Sequence, residues 1–225
     1  MIDSRVMRFS LALLASTAVA GCLGSSNGGG TASTSGPAGS SGFQAEFDRV
    51  SAIAPTSDMP TTIQATYTGQ MRADVTDASA VVGEVVGDLN LAVDWTDGQA
   101  TNPFSGTASN FQGRATGGDF TAIDGTLSVD NTFAGTIARN VIPSSTIGGI
   151  TIPEVQTGAM NVTLSGQLSQ EAETVDATVT LGGNFLGAGA SAATGAVSGG
   201  FNNASTSGPA IFDGAIAGSY YLERQ

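Results

Sequence analysis

Apolar and polar residues alternate along most of this chain. In residues 61–73, Ile63, Tyr67 and Met71 share one parity, whereas threonine, glutamine and arginine fill the other. Residues 85–95 repeat the pattern with leucines and valines on one parity. A period of two is that of a β-strand with one dry face. Both segments are therefore predicted to be half-buried strands.

Further segments carry the same strand signals and are separated by turn residues. These predicted strands are 104–111, 120–129, 131–139, 159–168, 174–185, 193–201 and 210–222. A helical period appears only at Phe43, Phe47 and Val50, in a run that Pro55 ends. Many short strands beside one short helix predict an all-β sandwich or barrel.

A bulky residue, any residue and then glycine recur in nearly every predicted strand. The eight pairs begin at Tyr67, Val85, Phe104, Ile123, Phe133, Leu164, Val197 and Ile216. Glycine weakens a strand, but it permits the sharp coiling that a small closed barrel needs. We therefore expect an up-and-down antiparallel β-barrel of about eight strands. Its interior is expected to be filled by Tyr67, Trp95, Phe133, Leu164, Phe185 and Tyr220.

The first 21 residues read as an export signal. Arg5 and Arg8 precede a short apolar run, residues 9–20, which is too short to span a bilayer. Residues 19–22, "VAGC", resemble the lipobox of bacterial lipoproteins, which implies that Cys22 becomes the lipidated first residue after cleavage. Leu23 follows it, which in many Gram-negative bacteria implies transfer to the outer membrane. A secreted soluble protein with an incidental cysteine is the alternative.

Composition divides the rest of the chain into three parts. Residues 22–42 hold the lipidated cysteine and a Gly/Ser-rich stretch that is predicted to be a disordered tether with a reach of roughly 25 Å. Residues 43–60 are predicted to form the short helix and a loop, and residues 61–225 the barrel. Several acyl chains would give stable membrane anchoring without a spanning segment.

The charge and the missing residue types narrow the chemistry. The net charge is −12, and the chain has no His and no Lys. Such an acidic protein repels a polyanion, which disfavours nucleic-acid binding. Imidazole-based catalysis, Schiff-base chemistry and a cysteine zinc site are excluded. Asp94 and Asp97 resemble part of a calcium site, but Asp-Gly is a common turn pair and the turn is expected. We expect no enzyme activity, no metal and no cofactor.

One glycine-rich stretch carries a family resemblance. "LGGNFLGAGASAATGAVSGGF" resembles a signature in the barrel domain of transferrin-binding protein B and its relatives, a group that includes factor H binding protein. The matching positions are Gly183, Phe185, Gly187, Ala192, Gly195, Gly199 and Phe201. The resemblance covers about Tyr67 to Leu222 and implies a barrel of roughly eight strands held at the outer membrane by a lipidated cysteine. It matches the smaller single-barrel members, labelled transferrin-binding-protein-like solute-binding lipoproteins, and it carries over no ligand.

These features favour an outer-membrane-anchored binding module. The predicted loop 140–158 contains Ile147, Ile150, Ile152 and Val155, and it is more apolar than a passive loop requires. We expect it to fold back over one barrel end; as the alternative, it binds a protein or an iron- or haem-type ligand. A structural or adhesive envelope lipoprotein without a small ligand stays open. The face of the outer membrane to which the barrel is exposed stays undecided. An integral membrane barrel is disfavoured because aromatic girdles are lacking.

Overall fold

The computed structural model describes residues 40–77, 80–171, 173–203 and 213–225. The predicted signal peptide, Cys22 and the linker through residue 39 lie outside the described residues. The helix α1 begins at Ser40, three residues before the predicted residue 43, and it ends at Ser51. Among the described residues, no helix has the length and apolar character needed to cross a bilayer.

In the described part of the chain, twelve strands follow the helix. Their bounds are β1 Thr62–Asp77, β2 Ala80–Thr96, β3 Phe104–Ala115, β4 Thr121–Gly125, β5 Leu127–Val129, β6 Thr136–Ile142, β7 Ser145–Ile147, β8 Ile150–Ile152, β9 Val155–Gln170, β10 Glu173–Leu186, β11 Ala192–Asn203 and β12 Gly214–Arg224. A short 3-10 turn at Ala188–Ala190 lies between β10 and β11.

The strands close into an antiparallel ring with eight members. Strands β1, β2 and β3 pair in chain order, β4 and β5 together form the fourth member, and β9 to β12 complete the ring. The ring closes where β12 pairs with β1, for example Met71 opposite Tyr220. The all-β fold class and the up-and-down ring of about eight strands are confirmed.

Strands β4 and β5, the fourth member of the ring, continue into β6 as one strand interrupted twice. Along the same edge of β9, β4 pairs near Ser169, β5 near Ser165 and β6 from Asn161 to Val155. The prediction that 120–129 and 131–139 are neighbouring barrel strands joined by a turn is therefore wrong. They follow one another along β9, separated by the loop 130–135.

The ring encloses one apolar core. Trp95, Tyr67, Tyr220, Phe185 and Leu164 are almost fully buried inside it, as predicted. Polar residues occupy the opposite parity of β1, which is the reverse of the arrangement in a membrane-spanning barrel. The interior is thus a packed core.

Phe133 is an exception, and its predicted place in the core is wrong. Its side chain is 53% exposed because the loop 130–135 replaces the predicted strand there. The carboxylate of Asp130 accepts hydrogen bonds from the Thr132 backbone N–H, at 2.8 Å, and from the Thr132 hydroxyl, at 2.6 Å. This local turn outweighs the alternation of apolar residues on which the prediction was based.

Helix α1 packs on the outside of the ring. Phe43 and Val50 are buried against Leu186, Ala192 and Tyr221 at the ends of β10 to β12. The chain then crosses one end of the barrel in an extended strap, residues 55–59, before β1 begins. Because β3, β9 and β11 start at that end and β2 and β10 finish there, we call it the strap end.

Candidate interaction surface

A long hairpin extends from the strap end of the barrel. Strands β6 and β7 form one arm, β8 and the start of β9 form the other, and the register is unchanged from Thr136↔Asn161 to Ile147↔Ile150. Gly148 and Gly149 make the turn, with φ of 60° and 84°. Two consecutive positive φ values are those of the hairpin turn that matches strand twist, and glycine adopts them without strain. We call residues 136–161 the long hairpin.

The long hairpin exposes most of the large apolar side chains that the described residues leave in solvent. Five of the seven large hydrophobic residues that are exposed lie on it: Val141, Ile142, Ile147, Ile150 and Ile152. Ile150 is 74% exposed and Ile147 is 69% exposed. A concentration of exposed apolar side chains on one element typically marks an interaction site.

Three of the four predicted loop residues come together on one face. Ile147 lies directly opposite Ile150, and Ile152 pairs with Ser145 two positions further along the same face. Val155 is half-buried and pairs with Ile142. Because Val155 comes three residues after Ile152, its side chain lies on the other face of the hairpin. The isoleucines form the tip surface, and Val155 does not belong to it.

The expectation that this segment is a loop folded back over the barrel end is wrong. Its two arms pair with each other, and Ile147, Ile150 and Ile152 at the tip stay exposed and do not cover the barrel end. The period of two in "TIGGITI" and the Gly-Gly pair are strand and hairpin signals that could have predicted the paired arms.

The base of the long hairpin is fastened to the strap. Arg139 donates from Nε to the carbonyl oxygen of Met59 at 3.0 Å and lies 3.4 Å from the carboxylate of Asp97. The backbone N–H of Met59 donates to the Gln156 carbonyl at 2.9 Å, and the Gln156 N–H donates to Ser57 at 2.9 Å. The hairpin therefore has a fixed base and a free tip.

A second set of contacts holds the strap against the turn between β10 and β11. Asp58 Oδ1 accepts a hydrogen bond from the Gly189 backbone N–H at 2.9 Å and another from the Thr56 hydroxyl at 3.1 Å. These two donors, the Gly189 N–H first, hold the pKa of the Asp58 carboxyl below its usual value. Asp58 thus ties the strap to the barrel as a carboxylate.

Carboxylates surround the hairpin base, whereas the tip carries no charge. Within residues 136–161 the only charged side chains are Arg139 and Glu154. Arg139 is paired with Asp97, and Asp58 in the strap forms a backbone β-bridge with Gln156 at the hairpin base. The exposed isoleucines therefore stand above a base with more negative than positive charge.

The barrel interior offers no comparable site. The Tyr67 hydroxyl donates to the Ala190 carbonyl at 2.6 Å, and burial raises the pKa of Tyr67 to about 12. Burial also raises the pKa of Tyr220, whose hydroxyl is buried without a hydrogen-bond partner among the described residues. Two shallow surface depressions, of about 360 and 460 Å³, lie beside β3 and are open to solvent. Neither has the closed apolar form of a small-molecule pocket.

An ion-pair cluster on the outer wall escaped the sequence analysis. Glu84 on β2 lies between Arg72 on β1 and Arg114 on β3, at 2.5 and 2.7 Å. The contact to Arg72 is an ion pair that is not aligned as a hydrogen bond. Arg114 also covers the ring of Phe120 at 4.6 Å. The cluster joins three neighbouring strands, so it could be identified only once the pairing register of those strands was known.

The described residues contain no group of three or more acidic or cysteine side chains that could hold a metal ion. Asp97 and Gly98 form a turn in which Gly98 has a φ of 81°, so the turn interpretation of "DWTDG" is confirmed. Cys22 lies outside the described residues. Comparison with known proteins finds no matching family model, no matching curated protein and no matching solved structure.

Proposed function

We propose that this chain is an outer-membrane-anchored lipoprotein that acts as a binding module and contacts a protein partner through the tip of the long hairpin. The observation that carries the proposal is the exposure of Ile147, Ile150 and Ile152 on one face of a hairpin with a fixed base. Exposed apolar side chains cost solubility, so a protein keeps them in one place where a partner covers them.

The filled interior favours a protein partner over an iron- or haem-type ligand. An eight-stranded barrel has room for side chains or for one small ligand, and here aromatic side chains occupy that room. The hairpin tip has the apolar centre and the polar surroundings of a protein interface. The proposed role is binding without catalysis.

The anchor and the family rest on other observations. Lipidation of Cys22 and export to the outer membrane follow from the lipobox resemblance in residues 19–22. Relationship to the single-barrel transferrin-binding-protein-like lipoproteins follows from the glycine-rich signature, and the eight-membered ring has the architecture that this resemblance implies. An adhesive envelope lipoprotein remains the second candidate, because the same exposed tip would hold another envelope protein.

Photo-crosslinking in intact cells tests the binding role. A photoreactive residue at position 150 is expected to give a discrete crosslinked protein product. The matched control places the same residue at Asp119, an exposed turn at the other end of the barrel, and is expected to give none. Equal products from both positions, or no product from position 150, would contradict the proposal. A partner exposed outside the cell favours ligand capture, and a resident envelope protein favours adhesion.

The anchor is tested separately with Cys22→Ser. Wild-type protein is expected in the membrane fraction, released only by detergent, with two or more acyl chains on its first residue by mass spectrometry. The variant lacks the thiol and is expected to lose membrane association. A wild-type protein with a free thiol in the soluble fraction would refute the anchor.

A further inference from the structure

Strand β6 has an open edge beside the hairpin tip. It pairs with β9 on one side, and β9 is the only strand that pairs with it within the described part of the chain. Strand β3 pairs with β4 and β5 on the corresponding side, but it begins at Phe104, opposite the loop 130–135. Residues Thr136–Ile142 therefore extend beyond the start of β3, which would otherwise have paired with their open edge.

Side chains, and not a strand, bridge the gap next to this edge. The Asn102 side chain donates to Asn131 at 3.1 Å, and Arg139 reaches Asp97 across the same gap. Every second residue of β6 consequently directs its backbone N–H and C=O away from β9. No backbone partner for these groups occurs in the described ranges.

This edge lacks most of the features with which proteins block strand addition. Lysine, proline, bulges and covering loops are the usual devices. Pro143 terminates the edge after Ile142, but the seven residues before it contain one charge, Arg139, whose side chain is only 14% exposed. Val141 and Ile142 are exposed beside the edge. An unblocked edge flanked by apolar side chains is a template for an added strand.

We infer that β6 accepts an extended segment of a basic partner protein as an added antiparallel or parallel strand, with apolar side chains at alternate positions. This inference rests on the proposed function and names its mode of binding. Charge decides the kind of partner. Asp58, Asp97 and Glu154 lie around the hairpin base, and the whole chain carries a net charge of −12. Basic side chains beside the apolar ones are attracted to this site, whereas a second copy of the chain is repelled.

A nine-residue synthetic peptide with alternating lysine and isoleucine is the probe. It is added to the full mature chain, and amide hydrogen exchange of β6 is followed by NMR. We expect exchange of the outward-facing amides between Thr136 and Ile142 to slow at least about tenfold, because each becomes hydrogen-bonded. A peptide with glutamate in place of lysine is expected to bind at least about tenfold more weakly at low salt.

The backbone hydrogen bonds of the proposed added strand are blocked in the peptide and not in β6, because a proline in β6 would also disturb its pairing with β9. The lysine–isoleucine peptide N-methylated at alternate residues keeps its side chains but loses one hydrogen-bonding edge. It is expected to give no protection of β6. Equal binding of the methylated and unmethylated peptides, or protection elsewhere and not at β6, would overturn the inference.

Two other results overturn it in distinguishable ways. Protection of β6 in the absence of peptide, at a protein concentration where the chain dimerises, would identify a second copy as the occupant. Failure of all peptides while position 150 still crosslinks to a partner would remove the strand-addition mode and leave the proposed function standing. If the crosslink is absent but the peptide still protects β6, the proposed partner at the hairpin tip is contradicted, whereas strand addition at β6 is not.

Discussion

Gly183 and Gly195 lie directly opposite each other in β10 and β11. At each position, atoms of the facing strand fill the space that a side chain would need. A Cβ at Gly183 would come within 2.8 Å of the Gly195 Cα and 2.7 Å of the Tyr220 hydroxyl. Both belong to the signature on which the family resemblance rests. Their role in this structure is to let two strands approach closely beside a buried tyrosine.

Gly183→Ala and Gly195→Ala are each expected to lower the free energy of unfolding by about 2–3 kcal/mol, because backbone must shift to admit the methyl group. Gly182→Ala is the matched control. Its Cβ would meet only the Asn161 side-chain nitrogen, at 3.5 Å, so little change is expected. Urea denaturation measures all three variants. A Gly182→Ala loss as large as the other two would contradict the close-approach explanation.

Asp58 makes a prediction about pH. Its folded pKa lies below its usual value, so the stability it contributes is present above the usual pKa and is lost as the pH falls through the folded pKa. The melting temperature of wild type is therefore expected to exceed that of Asp58→Asn at neutral pH, with a gap that closes in acid. Asp119→Asn, an exposed carboxylate without a hydrogen bond in the described part of the chain, is expected to show no such gap. A gap that widens in acid would contradict this assignment.

The long hairpin, as an element, is expected to contribute little to the stability of the barrel. Replacement of Ile147, Ile150 and Ile152 by serine removes apolar groups that are already in water, so the free energy of unfolding is expected to change by less than about 1 kcal/mol. Leu164→Ala, by contrast, empties part of the core and is expected to cost about 2–5 kcal/mol. Urea denaturation compares the two. A large loss in the triple-serine variant would show that the tip packs on the barrel.

Most elements could be predicted from the sequence because each barrel strand alternates an apolar and a polar face. The strands 104–111 and 174–185, for instance, fall within β3 and β10. The exposure of the long hairpin could not be predicted in this way: the alternation in "TIGGITI" indicates strands, but it does not show that neither face of the tip is buried. The open edge of β6 depends on where β3 begins relative to the loop 130–135, and residue patterns carry no information on that register.

At the scale of the whole molecule, a closed barrel fixes a single apolar hairpin at one end, and Cys22 is proposed to hold the chain at a membrane. The glycine-rich signature belongs to the barrel wall, where its residues are structural, whereas the exposed isoleucines belong to the hairpin. Five of the six predicted interior residues are buried, whereas Phe133 is not, and the exposed tip was identified in part: Ile147, Ile150 and Ile152 belong to it, and Val155 does not.

Hydrogen–deuterium exchange of the native protein, compared between isolated envelope membranes and the purified state, tests the central claim most directly. If a partner covers the long hairpin, peptides from residues 136–161 exchange at least about tenfold more slowly in the envelope, while the turn at residues 116–119 is unchanged. Equal exchange of the hairpin in both states, or protection confined to other parts of the barrel, would contradict the account.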